Sequence, residues 1–394
     1  MNIAYKACFV PLLVLLPNAC LSQAHDVLCN AGNSSFEASF RTGVTVSIGP
    51  QKGMEFSTRA CQGTLSWGKQ KLVIASGVPL LDLDMFGVDL GSGVPVAAFT
   101  TEKAAGKCCM TYQLYSLNEP PQSIRTIRGG GFFEAADTDL DGNVEIWTDD
   151  SGAVDGFEGL TPGEIDFVPT YVLRLDHNRL LDASSEFKAF FDDVIKSVHS
   201  KIKPESLSDF KTSDGRLQAS PDSSAQELVR LQKMRAVKIQ VLEVVWAYLY
   251  SGRDEEAWQS LSEMWPAGDV ERIRGEILKA RSSGIHAQLD GVTKAKLIKH
   301  GKPIFNQSEV TPAKAILMRV YPPDSQDASV GHKEVHVELV IDSAGKVRSV
   351  KPAGETKILE QYVQVSASRW KFMPAFKNDR SVASRMHTAI SPLQ

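Results

Sequence analysis

The spacing of apolar positions changes twice along the chain. From about 27 to 180, short β-prone runs sit between Gly, Pro and Asp punctuation, at 44–48, 71–75, 94–99, 110–115, 144–147 and 171–175. Runs of this kind bounded by turn residues predict strands, and their density predicts antiparallel sheets. From 183 to 290 the period lengthens to that of a helix. Phe187, Phe190, Phe191, Val194, Ile195, Val198 and Ile202 follow Ser184 and Ser185 at i, i+3, i+4 and i+7, a capped amphipathic helix that Pro204 ends. Residues 204–223, rich in Ser, Asp and Pro, predict a flexible linker. Ser224 and Glu227 then form a capping box for a long helix through Leu231, Met234, Val237, Val241, Val245 and Leu249, closed at Ser251-Gly252-Arg253. Two shorter helices follow, one through Ala257, Leu261 and Met264, the other over roughly 269–282. After 300 the alternation returns. Val335, Val337, Leu339 and Ile341 form one face of a strand, 342–345 a turn and 346–350 a second strand. A helical stripe from Ile358 to Trp370 follows, then a last strand carrying Val382, Met386 and Ile390.

These patterns predict an α+β multi-domain chain. It comprises a signal segment (1–24), a β-rich domain (27–180), a helical region (183–290) and a small helix-backed antiparallel sheet (300–394). A weak repeat lies in the β-rich part, where Asp89-Leu-Gly-Ser-Gly-Val-Pro-Val matches Asp139-Leu-Asp-Gly-Asn-Val-Glu-Ile at an offset of 50. A period of that size belongs to blade-like sheets, and two copies predict a partial propeller-like or stacked-sheet arrangement rather than a closed ring. The segment from Trp246 to Trp258, with Trp265-Pro266 beyond it, resembles one tetratricopeptide-type hairpin. With a single copy it is expected to be an αα-hairpin whose tryptophans are core.

The 394 residues carry 43% hydrophobic and 23% charged side chains and a net charge of -4, which excludes wholesale disorder and offers no basic stripe for nucleic acid. Lys6, the apolar run 7–16, the breakers Pro17 and Asn18, and Ser22-Gln23-Ala24 have the order of a secretory signal cleaved before His25. A lipidated Cys20 is the alternative. The expected location is the periplasm or the outer membrane of a Gram-negative-type envelope. Cleavage leaves Cys29, Cys61, Cys108 and Cys109, which allow three pairings. The adjacent pair is expected not to close on itself but to reach partners such as Cys29 or Cys61; free buried thiols are the alternative.

The sharpest local motif is Asp137-Thr-Asp139-Leu-Asp141-Gly142-Asn143-Val-Glu145. Alternate residues of a tight loop aim their carboxylates at one centre, as a hard cation requires. Thr148 stands where an EF-hand needs Glu, and a strand follows where that motif needs a helix. The segment resembles the Asp-rich calcium loops of FG-GAP/VCBS-type blades over some 15 residues. The resemblance implies Asp137, Asp139 and Asp141 as side-chain ligands of a structural calcium ion, Asn143 offering its carbonyl and Glu145 a carboxylate, directly or through water. Gly87, Gly91 and Pro95 replace the corresponding residues of the first copy, which is expected to bind no metal. A solvated Asp turn is the alternative for the second.

Over about 320–394 the chain resembles the C-terminal domain of TonB-like envelope proteins. The marks are Val-Ile-Asp-Ser-Ala-Gly-Lys-Val (340–347), Arg-Trp-Lys-Phe-Met-Pro-Ala (369–375) and Tyr321-Pro322 ahead of the first strand. The resemblance implies a helix-backed antiparallel sheet that binds an extended peptide segment of an envelope protein at a strand edge. A cleavable signal is expected in place of the membrane anchor of TonB, and the 19 prolines are scattered rather than gathered in a spacer, so energy coupling is not expected to carry over.

No complete catalytic motif is present. His332-x-Glu-x-His336 lacks the His-Glu-x-x-His spacing of a zincin, and neither a Gly-x-Ser-x-Gly elbow nor a phosphate loop occurs. The sequence therefore predicts an exported, non-enzymatic protein acting through protein–protein contacts. The alternatives are an envelope hydrolase with its site in the β-rich domain and a calcium-dependent adhesion or ligand-binding module.

Overall fold

The computed structural model describes residues 27–51, 60–102, 108–160, 165, 167–293, 302–318, 335–352, 363 and 366–390. The signal-like segment, Cys20, Tyr321-Pro322, His332 and most of the 358–370 stripe lie outside them.

The β-rich part contains β1 (Cys29–Asn30), β2 (Phe36–Ser39), β3 (Thr45–Pro50), β4 (Cys61–Trp67), β5 (Gln70–Val78), β6 (Leu80–Asp89), β7 (Pro95–Glu102), β8 (Met110–Ser116), β9 (Ser123–Gly130), β10 (Phe133–Ala136), β11 (Glu145–Asp149), β12 (Thr170–Asp176) and β13 (Arg179–Asp182). Sequential strands pair antiparallel in three meanders, β2 to β5, β6 to β9 and β10 to β13; β1 adds to the edge of the second. A short β14 (Gly291–Val292) pairs parallel with β13 at the edge of the third.

The middle meander is covered on both faces, because its side chains alternate between two cores. Ala97 and Phe99 of β7 join Val46, Ile48, Leu65 and Leu83, while Val96 and Ala98 join Ile146, Tyr171 and Leu173. The three meanders therefore stack, and the two repeat segments occupy the same place in successive meanders, the hairpin between the first and second strands. Cys29 and Cys61 are disulfide-bonded with Cα atoms 6.0 Å apart. Their strands meet there because β1 lies on β6 next to the β5–β6 turn, opposite Leu81, while Cys61 lies opposite Val78. Cys108 and Cys109 are bonded to one another across a cis peptide, so the expectation that each reaches a distant partner is corrected. Cys29 and Cys61, the partners expected for that pair, are committed to each other.

The helices are α1 (Ser151–Val154), α2 (Lys188–Lys201), α3 (Pro204–Lys211), α4 (Ala225–Tyr250), α5 (Asp254–Met264) and α6 (Val270–Ser283). Ser224 caps α4 by accepting the Glu227 N–H at 3.2 Å. The predicted linker is corrected at its start, where 204–211 form α3. Pro204 stands at a helix start, where its missing N–H costs nothing, so it closes one helix and opens the next. Phe210 of α3 is fully buried edge-on against Trp265. Trp246 and Trp265 are core, as the hairpin reading requires, whereas Trp258 is only half-buried, with Arg274 4.8 Å over its ring. No described helix is long and apolar enough to cross a membrane.

One continuous core joins the third meander to the helices, from Ile146 and Tyr171 to Trp246, Leu261 and Ile277. At its centre is a buried carboxylate. Asp150 accepts the Tyr250 hydroxyl at 2.7 Å and the Ile285 N–H at 2.8 Å. Burial pushes its pKa up to about 6, although both donors oppose the rise. An acid raised in the folded state holds a proton that the unfolded chain has released, so its contribution to stability falls as pH rises from about 4 to 6 and is level above. Asp150→Asn keeps an acceptor for Ile285 and a partner for Tyr250 without the charge. Melting temperatures across pH 4 to 8 should show the variant gaining on the wild type between pH 4 and 6, by up to about 2–3 kcal/mol; a constant difference would refute this.

The C-terminal unit contains β15 (Lys314–Leu317), β16 (Val335–Ile341), β17 (Val347–Pro352), β18 (Lys371–Met373), β19 (Ala375–Lys377), β20 (Arg380–Val382) and β21 (Ser384–Ile390). Strands β17, β16 and β21 form an antiparallel sheet with β16 in the middle, while β15 pairs with β18 and β19 with β20. Val382 falls on the short strand β20, separated from β21 by Ala383, but it packs on the same core as Met386 and Ile390. Val337, Leu339, Ile341, Val363, Ala367, Trp370 and Phe372 build this unit's own core. Gly345, at φ 86°, closes the β16–β17 turn where an added Cβ would fall 1.9 Å from the Phe372 carbonyl oxygen.

The unit does not stand apart from the meanders. Leu317 and Phe376 belong to the core beneath the first and second meanders. Two buried ion pairs cross the same boundary, Lys346 with Asp84 at 2.6 Å and Lys371 with Asp82.

Candidate metal centre

The acidic loop is the hairpin between β10 and β11. Its chemistry follows from side chains folding back on their own backbone, as Asp and Asn do in turns. The Asp137 carboxylate accepts the Gly142 N–H at 3.0 Å, Asp139 the Asp141 N–H at 3.4 Å, and Asp141 the Asn143 N–H at 2.8 Å. Leu140 and Gly142 take positive φ, 55° and 77°. At Gly142 a Cβ would also meet the Lys302 side chain at 2.5 Å, so glycine fits both the turn and the neighbour.

These turns bring one carboxylate oxygen each of Asp137, Asp139 and Asp141 within 4.8 Å of one another. Asp137 and Asp141 are buried and Asp139 is half-buried. The Asn143 side-chain amide donates to both Asp141 oxygens at 2.8 Å. Glu145 stands outside the cluster, on the first residue of β11. Its Oε1 is 2.6 Å from Arg174 of β12, which also holds Glu186 at 2.8 Å. Burial pushes the Glu145 pKa up to about 8 despite Arg174, with Asp139 and Asp141 adding to the rise.

Asp137 is the most constrained member. It is fully buried, and its Oδ2 accepts the Ser343 hydroxyl at 2.8 Å as well as the Gly142 N–H. Its Oδ1 is buried with no hydrogen-bond partner among the described residues. Burial pushes its pKa up to about 7; Ser343 and Gly142 oppose the rise, and Asp342 and Asp141 reinforce it. A buried acceptor without a donor costs about 1–3 kcal/mol, so the arrangement calls for a positive partner. An all-oxygen set at a tight turn fits a hard cation such as calcium.

The sequence reading missed Asp342 and Ser343, which lie 205 and 206 residues from Asp137. Asp342 accepts the Asp137 N–H at 3.0 Å and pairs with Arg348 at 2.7 Å. Only their turn character was visible locally. The corresponding hairpin of the first repeat meets the same unit: the Asp89 N–H donates to the Ser381 hydroxyl oxygen at 3.1 Å. In that copy Asp89 Oδ1 accepts the N–H groups of Gly91 and Gly93, both at 2.9 Å. Of the two histidines in the discounted zinc pattern, His336 is exposed on β16 and His332 lies outside the described residues.

No family model, curated protein or solved structure matches this chain.

Proposed function

We propose that this is an exported cell-envelope protein that works by protein–protein contact, not catalysis, with a calcium ion stabilising its acidic loop. The observation that carries the calcium reading is the orphaned Oδ1 of the fully buried Asp137 within a cluster of three carboxylates. Calcium would be held by Asp137, Asp139 and Asp141, with Asn143 and Glu145 as further oxygen donors. Its role is to cancel carboxylate repulsion and fix the turn. The Cys29–Cys61 disulfide supports an oxidising compartment such as the periplasm or outer-membrane surface.

The contact surface in this reading is the TonB-like C-terminal sheet. Its outer strand β21 is engaged at Ser384 and Arg385 by Phe305, and beyond these its edge has no further strand partner among the described residues. An extended segment of an envelope protein would add there through main-chain hydrogen bonds.

Thermal unfolding with and without calcium tests the ion. A ligand specific to the native state adds about 2.7 kcal/mol at a hundredfold excess over Kd. Calcium should raise the melting temperature, a chelator should reverse the rise, and Asp139→Ala should abolish it. An unchanged wild-type melt leaves only the solvated Asp turn. A pull-down from envelope extract, with and without chelator, then tests the interaction role.

A further inference from the structure

The two disulfides differ in access and in what they hold. Cys29 and Cys61 are fully buried, and their bond ties β1 to β4 across 32 residues of chain. Cys108 is exposed and Cys109 half-buried, and their bond joins sequence neighbours in the connection between β7 and β8. We infer that Cys108–Cys109 is a reversible thiol–disulfide site open to external thiols, whereas Cys29–Cys61 is a permanent cross-link.

Access decides which bond can react. Exchange begins when a thiolate reaches a disulfide sulfur, so a buried bond waits on local opening and an exposed one does not. Cys109 is backed by α1, where a Cβ added to Gly152 would fall 3.9 Å from its Sγ, which leaves Cys108 as the sulfur open to attack. The loop closed by each bond decides what its loss costs. The stabilisation from a cross-link grows with the length of chain it closes, and a bond between neighbours closes almost none. Strand β8 is also held without it, by six paired residues on β7 and six on β9. Reduction at 108–109 therefore leaves the second meander intact. The chemistry balances with an external thiol as reductant. Its thiolate attacks the Cys108 sulfur, forms a mixed disulfide and displaces Cys109 as a thiolate, which takes up a proton. A second external thiol attacks the external sulfur of that mixed disulfide and frees Cys108. Two thiols become one disulfide, and their two electrons convert the protein disulfide to a dithiol. An external disulfide runs the same steps in reverse.

Alkylation of the folded full chain in mixtures of reduced and oxidised glutathione, read peptide by peptide by mass spectrometry, tests the site. Before any thiol is added, Cys108 and Cys109 should both be protected from alkylation. Reduced glutathione should open 108–109 at least about tenfold faster than 29–61, and oxidised glutathione should close it again. The melting temperature of the selectively reduced chain should stay within about 2 °C of the oxidised one. Cys109→Ser, which removes the resolving thiol, should accumulate glutathione on Cys108; Cys108→Ser should accumulate less on the half-buried Cys109. Alkylation of both cysteines before reduction would overturn the proposal, because no bond would be there to exchange. Equal opening rates for the two disulfides would overturn it as well. So would a clear fall in melting temperature on selective reduction, which would make 108–109 a structural cross-link.

Discussion

Lys346→Ala should destabilise the full chain by about 3–5 kcal/mol, the usual cost of removing one partner from a buried ion pair. The Lys346 ammonium lies 2.6 Å from Asp84 Oδ1 and 3.1 Å from the Asp84 carbonyl oxygen. Both residues are over nine-tenths buried, at 8% and 6% exposure. The other Asp84 oxygen accepts the Tyr112 hydroxyl at 2.6 Å and the Ala135 N–H at 2.7 Å. These neutral donors orient the carboxylate but do not neutralise it. Deleting the ammonium therefore strands a charge between the second meander and the C-terminal unit. Urea unfolding should show a lower midpoint for Lys346→Ala. Lys346→Met with Asp84→Asn, which removes both charges, should recover much of the loss. A single variant as stable as the wild type would mean that Asp84 is solvated or neutral, and the charged clamp would be refuted.

That clamp also marks the limit of what the sequence could reveal. Where one face of an element meets water, its pattern was legible: the alternation of β16, the 3.6-residue stripe of α2 and the Ser224–Glu227 cap each match the element found. Strand β6 escaped notice because nearly all of it is buried, on both faces, so it has no polar side to set a period. Its two aspartates, Asp82 and Asp84, are buried as well. They are tolerated because Lys371 and Lys346 arrive from 289 and 262 residues away. A register shift between Leu83 and Met85, at Asp84, breaks the regular alternation further. The acidic loop was legible because its geometry is local: each Asp bonds backbone within a few residues. The Ser343 turn that closes on it was not, since its partner is set by docking. Pro204 misled for a related reason, since proline signals a boundary equally well at the end of one helix and the start of the next.

Trp370→Ala should cost about 3–5 kcal/mol, the range for emptying a large aromatic site in a core. Trp370 is 1% exposed, and its core also contains Val337, Leu339 and Ile341 of β16, Phe372 of β18 and Ile390 of β21. No single neighbour can fill the space, because these residues sit on three strands whose registers are fixed by pairing. The loss should spread beyond the cavity. Trp370 directly precedes β18, where Lys371 reaches Asp82 and the Phe372 N–H donates to the Gly345 carbonyl at 3.0 Å. Gly345 closes the turn that carries Ser343 to the acidic loop, so relaxation around Trp370 loosens the clamp and the loop contact together. Trp370→Phe, which keeps an aromatic ring in the core, should cost less than the alanine variant. Urea midpoints for both variants check the ranking. An alanine variant within about 1 kcal/mol of the wild type would show that the site collapses or is not close-packed, and would remove Trp370 as the residue holding this part of the chain against the meanders.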